Sequence, residues 1–250
     1  MKYRRALLVV LAVLLAAGCQ VRTVVTVAVR DDGSGTVEVA VGLDAEALAK
    51  VPDLDGSGAS DTADLVKLVR VDDLTAAGWT VGEVSSSPDA EGFVWLRATK
   101  PFGTPEEARD VLAELTGPDG GLRDLSVTRS ASYGKTEYGF SGVADLSAGL
   151  EAFGDEGLAA ALDGEPLGED AADIAQRLGK PLEEMLKLSV EVSLPGGVAD
   201  SWAPKLGGEP VDMAAESTVW DRAVLGLTVV ALGCAVALVV VLLLRRRTSS

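Results

Sequence analysis

Two kinds of apolar pattern divide this chain: positions that alternate with polar residues, and runs that do not alternate at all. Val21, Thr23, Val25, Val27 and Val29 share one face of an extended segment, and Val37, Val39, Val41 and Leu43 share one face of the next. Asp31-Asp32-Gly33-Ser34-Gly35 between them is turn chemistry, so residues 21–43 predict a β-hairpin. Residues 79–84 and 92–100 predict a second strand pair, and 122–129 with 135–146 a third, in which Leu125 and Val127 share one face and Tyr138 and Phe140 another. Leu186, Leu188, Val190, Val192 and Leu194 alternate strictly with polar residues and predict the cleanest one-faced strand in the chain. Phe93-Val94-Trp95-Leu96 breaks the alternation with large apolar groups in succession. That strand is expected to be covered on both faces, by another layer or by an apolar ligand.

Helical spacing is clearest after Thr104. Thr104 is the expected cap, Pro105 takes the first helical position, Glu107 completes a capping box, and Val111, Leu112 and Leu115 form the stripe. Residues 44–50 and 61–74 are further helical candidates. Asp53-Leu54-Asp55-Gly56-Ser57-Gly58 begins like a calcium loop, but Ser60 and Asp64 stand where an apolar residue and a bidentate Glu are needed, so an acidic loop is expected there. Residues 149–181 turn Ala-, Gly- and acid-rich and are expected to be an insertion or lid, and 199–222 either a final short strand or a juxtamembrane linker.

The last pattern is an unbroken one. Residues 223–244 carry no charge and no proline, long enough at about 1.5 Å per residue to cross a bilayer core. Arg245, Arg246 and Arg247 follow, so the tail 245–250 is expected in the cytoplasm and the preceding domain outside it. Trp220 is expected at headgroup level.

Charge changes the picture of possible partners. All 38 Asp and Glu lie between the terminal apolar runs, whereas three of the 22 Lys and Arg precede the first run and three follow the last. So anionic a domain repels nucleic acid and anionic lipid surfaces overall, since binding either needs neutralising cations, and leaves room only for a local basic pocket. There is no His, and the two cysteines are Cys19 and Cys234. His-dependent nucleophiles, the usual zinc sites and redox pairs are thereby excluded, and no cofactor is expected.

Residues 1–18 combine Lys2, Arg4 and Arg5 with the apolar run 6–17, the form of a secretory signal peptide. Leu15-Ala16-Ala17-Gly18-Cys19 resembles the bacterial lipobox, which implies attachment of diacylglycerol, with acyl chains such as palmitate, to the Cys19 thiol as a thioether and cleavage just before Cys19. Both ends of the mature chain are then expected on one cell membrane, on its extracytoplasmic face, by an N-terminal lipid anchor and a single-pass C-terminal helix.

The order of pieces resembles the LppM-type lipoprotein domain family of actinobacteria. The lipobox carries the resemblance together with Asp32-Gly33-Ser34-Gly35-Thr36, Thr99-Lys100-Pro101-Phe102, Pro105-Glu106-Glu107-Ala108, Leu125-Ser126-Val127-Thr128-Arg129, Ala152-Phe153-Gly154-Asp155 and Val192-Ser193-Leu194-Pro195-Gly196. The family implies an extracytoplasmic α+β domain over 19–198, in which a curved antiparallel sheet packs against helices in a helix-grip-like manner. It also implies binding of envelope lipids, including phosphoinositol-based glycolipids. The acidic insertion departs from the pattern, and no family binding residue carries over.

The leading functional expectation is therefore a non-catalytic, membrane-anchored lipoprotein that binds a cell-envelope lipid or other amphiphile. Arg97, Lys100, Arg123, Arg129 and Lys135 are the candidate headgroup cations, with Phe93, Trp95, Tyr138 and Phe140 as the aromatic surface. The alternative is an envelope assembly module without a small ligand, meeting a membrane protein partner through 223–244, where Gly226 and Gly233 permit close packing. An enzyme ranks third, since Glu106 with Glu107 and Glu183 with Glu184 are sequence neighbours that do not face one substrate.

Overall fold

The computed structural model describes residues 20–45, 71–86, 92–116, 120–149 and 185–248. Cys19, the loop at 53–58 and nearly all of 149–181 lie outside them, as do most of the two early helical candidates. Residues 71–74 of the second belong to helix α1 (Val71–Ala76).

The first hairpin forms as its alternation predicts, from β1 (Val21–Val29) and β2 (Gly35–Leu43), paired from Val21 with Leu43 to Val29 with Gly35. The turn is held by Asp32, whose carboxylate accepts from the backbone N and hydroxyl of Ser34, while Gly33 takes a φ of 88° that a side chain would resist. Those two bonds hold the Asp32 carboxyl below its ordinary range, the Ser34 hydroxyl contributing most. β5 (Val94–Phe102) pairs antiparallel with β2, and the short strands β3 (Thr80–Val81) and β4 (Ser85–Ser86) both pair with its far edge.

On the other side of β1 the arrangement departs from an all-antiparallel sheet. β8 (Leu186–Leu194) lies parallel to β1, from Val21 beside Leu186 to Ala28 beside Ser193. β9 (Val198–Trp202) then turns back along β8, giving a seven-stranded mixed sheet in the order β3-β5-β2-β1-β8-β9. A second sheet contains β6 (Leu122–Ser132), β7 (Lys135–Ala144) and β10 (Val211–Trp220) in the order β10-β7-β6. The fold is therefore α+β and sheet-dominated, with two sheets. Within 199–222, the stretch read as a short strand or linker, β10 is a full ten-residue strand at Val211–Trp220.

The core lies between the sheets and helix α2 (Pro105–Thr116). Val25, Val27, Val37, Val190 and Val192 face it from the large sheet, Val127, Tyr138, Phe140 and Met213 from the small one, and Ala108, Val111 and Leu112 from α2. The capping box of α2 forms with a shift. Thr104 Oγ1 accepts from Glu107 N at 3.2 Å, but the Glu107 carboxylate reaches one residue further back, to Gly103 N at 2.7 Å. Phe140 stacks on Trp202 at 5.9 Å and so joins the two sheets. The Tyr138 hydroxyl donates to Asp31 O and the buried Ser217 hydroxyl to Pro195 O, tying the same end of both sheets together.

Helix α3 (Arg222–Thr248) follows β10 after a single residue. It is the one described helix long and apolar enough to cross a membrane, and none of its spanning window is buried.

Phe140→Ala removes a side chain that is 2% exposed and bridges the sheets. It is expected to destabilise the domain by about 3–5 kcal/mol. Urea unfolding followed by tryptophan fluorescence checks this, since Trp202 lies in the stacked pair.

Candidate functional site

Pairing across distant segments creates the most distinctive surface. β9 ends at Trp202, opposite Val190, because Pro204 has no N–H with which to continue the ladder. Beyond that point the first half of β8 has no strand partner on its outer edge among the described residues. The chain at Ala203–Lys205 leaves a cleft of about 400 Å³ over Leu186–Ser189 and Arg22–Val24. Its described lining is apolar at Val24, Leu186, Leu188, Ala203 and Pro204, and carries Arg22, Lys187 and Lys205 with no acid.

Two of those cations are forced together. Arg22 and Lys187 are direct partners in the parallel register of β1 and β8, an arrangement of like charges that disfavours the pairing. Gln20 bridges them, its Oε1 accepting from Arg22 Nη2 at 3.5 Å and Lys187 Nζ at 3.4 Å. The Arg22 guanidinium also lies 4.3 Å from the centre of the Phe93 ring. The cations of the cleft suit an anionic head, and the apolar walls beside them suit an attached hydrocarbon.

From Arg22 a ladder of rings and cations runs along the outer face of the large sheet. Phe93, only 2% exposed, meets Trp95 at 5.8 Å, and the Arg97 guanidinium sits 5.6 Å from the Trp95 ring. Arg97 also donates to Ser85 Oγ at 2.8 Å and pairs with Glu38 at 3.7 Å. Trp95 can lie flat on the sheet because its cross-strand partner is Gly42, where a Cβ would meet the indole at 2.9 Å. Phe93, Trp95 and Arg97 are thus brought together, with Arg22 as a member that sequence reading passed over.

The other sequence candidates do not join them. Lys100 points to the opposite face of β5, where it donates to Glu114 at 2.7 Å and to Ala77 O at 2.7 Å, 5.9 Å from the Trp79 ring. Arg123 pairs with Asp145 and Lys135 with Glu137, both on the small sheet. The Asp145 carboxyl is held below its ordinary range, chiefly by the Ser147 hydroxyl and less by Arg123. Arg129 is exposed and lays its aliphatic stem across Gly33. Tyr138 and Phe140 are core residues.

A second, partly open pocket of about 110 Å³ has an apolar described lining of Val39, Val41, Leu74, Trp79, Val81, Leu96, Ala98 and Leu115. It is smaller than ordinary ligand pockets, which begin near 300 Å³. Beside it Glu114 accepts from Trp79 Nε1 at 3.1 Å and from Lys100, and the Lys100 hydrogen bond is the main cause of a carboxyl pKa below the ordinary 4.5.

These features define a sheet-dominated α+β domain joined to one C-terminal apolar helix. No protein-family model matches the chain, and no curated protein matches it. Among solved structures it is similar to the folded domain of LppM from Mycobacterium tuberculosis, determined by NMR, at 13% identity and a TM-score of 0.35, over 83% of this chain and 94% of that one. The likeness is a distant structural one.

Because the folded state lowers the Glu114 pKa, its stabilising effect is present above 4.5 and is lost as the pH falls through the folded-state value. Glu114→Gln is expected to cost about 1 kcal/mol or less at neutral pH, given the partial exposure of the pair. The gap from wild type should close on acidification, which paired urea titrations at neutral and acidic pH will show.

Proposed function

We propose that this protein is a membrane-anchored extracytoplasmic lipoprotein whose domain binds an amphiphile with an anionic head, without catalysing a reaction on it. The observation that carries the reading is the cleft itself. In a chain of net charge −16, its described lining gathers three cations and no acid beside apolar walls. A cationic mouth in an acidic surface concentrates anions locally, and Arg supplies a planar donor set for a phosphate or carboxylate. The volume of about 400 Å³ is within the ordinary range for a small ligand. Its size admits a headgroup with the first part of a chain, so the rest of an acyl tail would stay in its membrane.

The anchoring part of the proposal is supported by the lipobox-like Leu15–Cys19 and by α3, whose apolar side chains are exposed. Fatty acylation at Cys19 and passage of 223–244 through the cell membrane together account for a domain that must stay beside its lipid. The LppM likeness adds no argument about ligand.

The test is binding of the purified full chain in detergent to anionic phospholipid, read by native mass spectrometry. Lys187→Glu with Lys205→Glu is expected to weaken binding at least about tenfold, because two attractive charges become repulsive. Arg109→Glu on α2, outside the cleft lining, should leave it unchanged. Equal binding by all three proteins, or a stoichiometric protein partner recovered with no lipid, would overturn the reading in favour of an assembly module.

A further inference from the structure

Gln20, the residue after Cys19, and helix α3 sit at opposite ends of the domain, and each is hydrogen-bonded to it. At one end Gln20 opens the described chain, with its backbone N donating to Asp44 Oδ2 at 2.7 Å, its carbonyl accepting from Asp44 N at 3.1 Å and its side chain held by Lys187. Cys19 is the residue immediately before it in the sequence.

At the other end β10 runs into α3 through Asp221 alone. Asp221 N donates to Gly134 O at 2.9 Å, and Asp221 Oδ1 accepts from Ala223 N at 2.9 Å and Val224 N at 3.1 Å. Tyr133, at the tip of the β6–β7 hairpin and 78% exposed, shares a hydrogen bond of 2.7 Å with Thr228 Oγ1 on the second turn of α3. Trp220 is 56% exposed at the same place. The hairpin tip is thus bonded to the helix, and two amphipathic aromatics mark the level at which the helix would enter the interface.

The strand registers show how far apart these ends are. Gln20 precedes Val21, which pairs with Leu43 and Leu186. The far ends of those strands, at Asp31 and Pro195, are the ones bound to Tyr138 and Ser217, next to the Lys135–Trp220 pair from which α3 departs. The eight steps from Val21 to Val29 at about 3.3 Å each separate the two ends by roughly 26 Å.

We infer that the domain lies along the membrane instead of standing on it, with the strands of the large sheet parallel to the surface. This inference rests on the reading of Cys19 as a lipid anchor and of α3 as a spanning helix in the same membrane. With one anchor at each end of a 26 Å strand and no linker at either, an upright domain would lift its acylated end out of reach of the bilayer. Lying flat brings the Arg22–Lys187–Lys205 cleft, whose Lys187 is bonded to Gln20, to headgroup level. The cleft is then served laterally from the leaflet that holds the protein.

The experiment uses the full-length chain in vesicles of phosphatidylcholine and phosphatidylglycerol. In a Cys234→Ser background, Ala45→Cys labels the Gln20 end and Asp31→Cys the opposite end, and quenching by lipids labelled at the headgroup reports the depth of each. Intact mass of the same sample reports acylation at Cys19. Acylated protein with both labels quenched alike is the expected result. Acylated protein whose Ala45 label lies about 26 Å further from the bilayer than the Asp31 label would overturn the flat arrangement while leaving the lipid anchor standing. An unmodified Cys19 would overturn the anchor reading, and the flat arrangement with it.

Discussion

The parallel pairing of β1 with β8 is the contact on which the rest of the structure depends. It joins Val21–Ala28 to Leu186–Ser193, so the first strand of the domain is completed by a segment more than 160 residues downstream. Val25 and Val27 are packed by Val190 and Val192 only in this register, and a shift of one residue would turn every one of those side chains to the other face. The same register puts Arg22 beside Lys187. A core requirement thus generates the charge cluster as a by-product, and Gln20 and the Phe93 ring are among the contacts of its cations.

Where β9 stops is the second constraint. Its pairing with β8 ends at Trp202, just before Pro204, and the strand edge without a partner among the described residues becomes the floor of the cleft. The small sheet closes the structure from the other side. Phe140 against Trp202, Tyr138 against the Asp31 carbonyl and Ser217 against the Pro195 carbonyl hold it there, and β10 carries this rigidity directly into α3.

Local pattern made much of the fold legible. The hairpin of β1 and β2, strand β8 to its last residue and the start of α2 follow from alternation, turn chemistry and capping, all of which act over a few neighbouring positions. The candidate cations were less legible. Arg97, Lys100, Arg123, Arg129 and Lys135 are close in sequence, but side chains on successive strand positions point to opposite faces, and Lys100 is thereby separated from Arg97. Arg123 and Lys135 each meet a carboxylate on the small sheet, and Tyr138 and Phe140 were drawn into the core by the apolar face that made them conspicuous.

The sequence by itself determined the alternating strands, the capped helix, the uncharged apolar run of α3 and the acidity of the domain, because periodicity, capping and charge are properties of short stretches. Only the tertiary structure decided that β8 lies parallel to β1, that Arg22, Lys187 and Lys205 share a cleft, and that Gln20 and α3 stand at opposite ends. Strand partners are selected by the packing of a whole sheet, and nothing in the neighbourhood of Arg22 specifies a lysine 165 positions away.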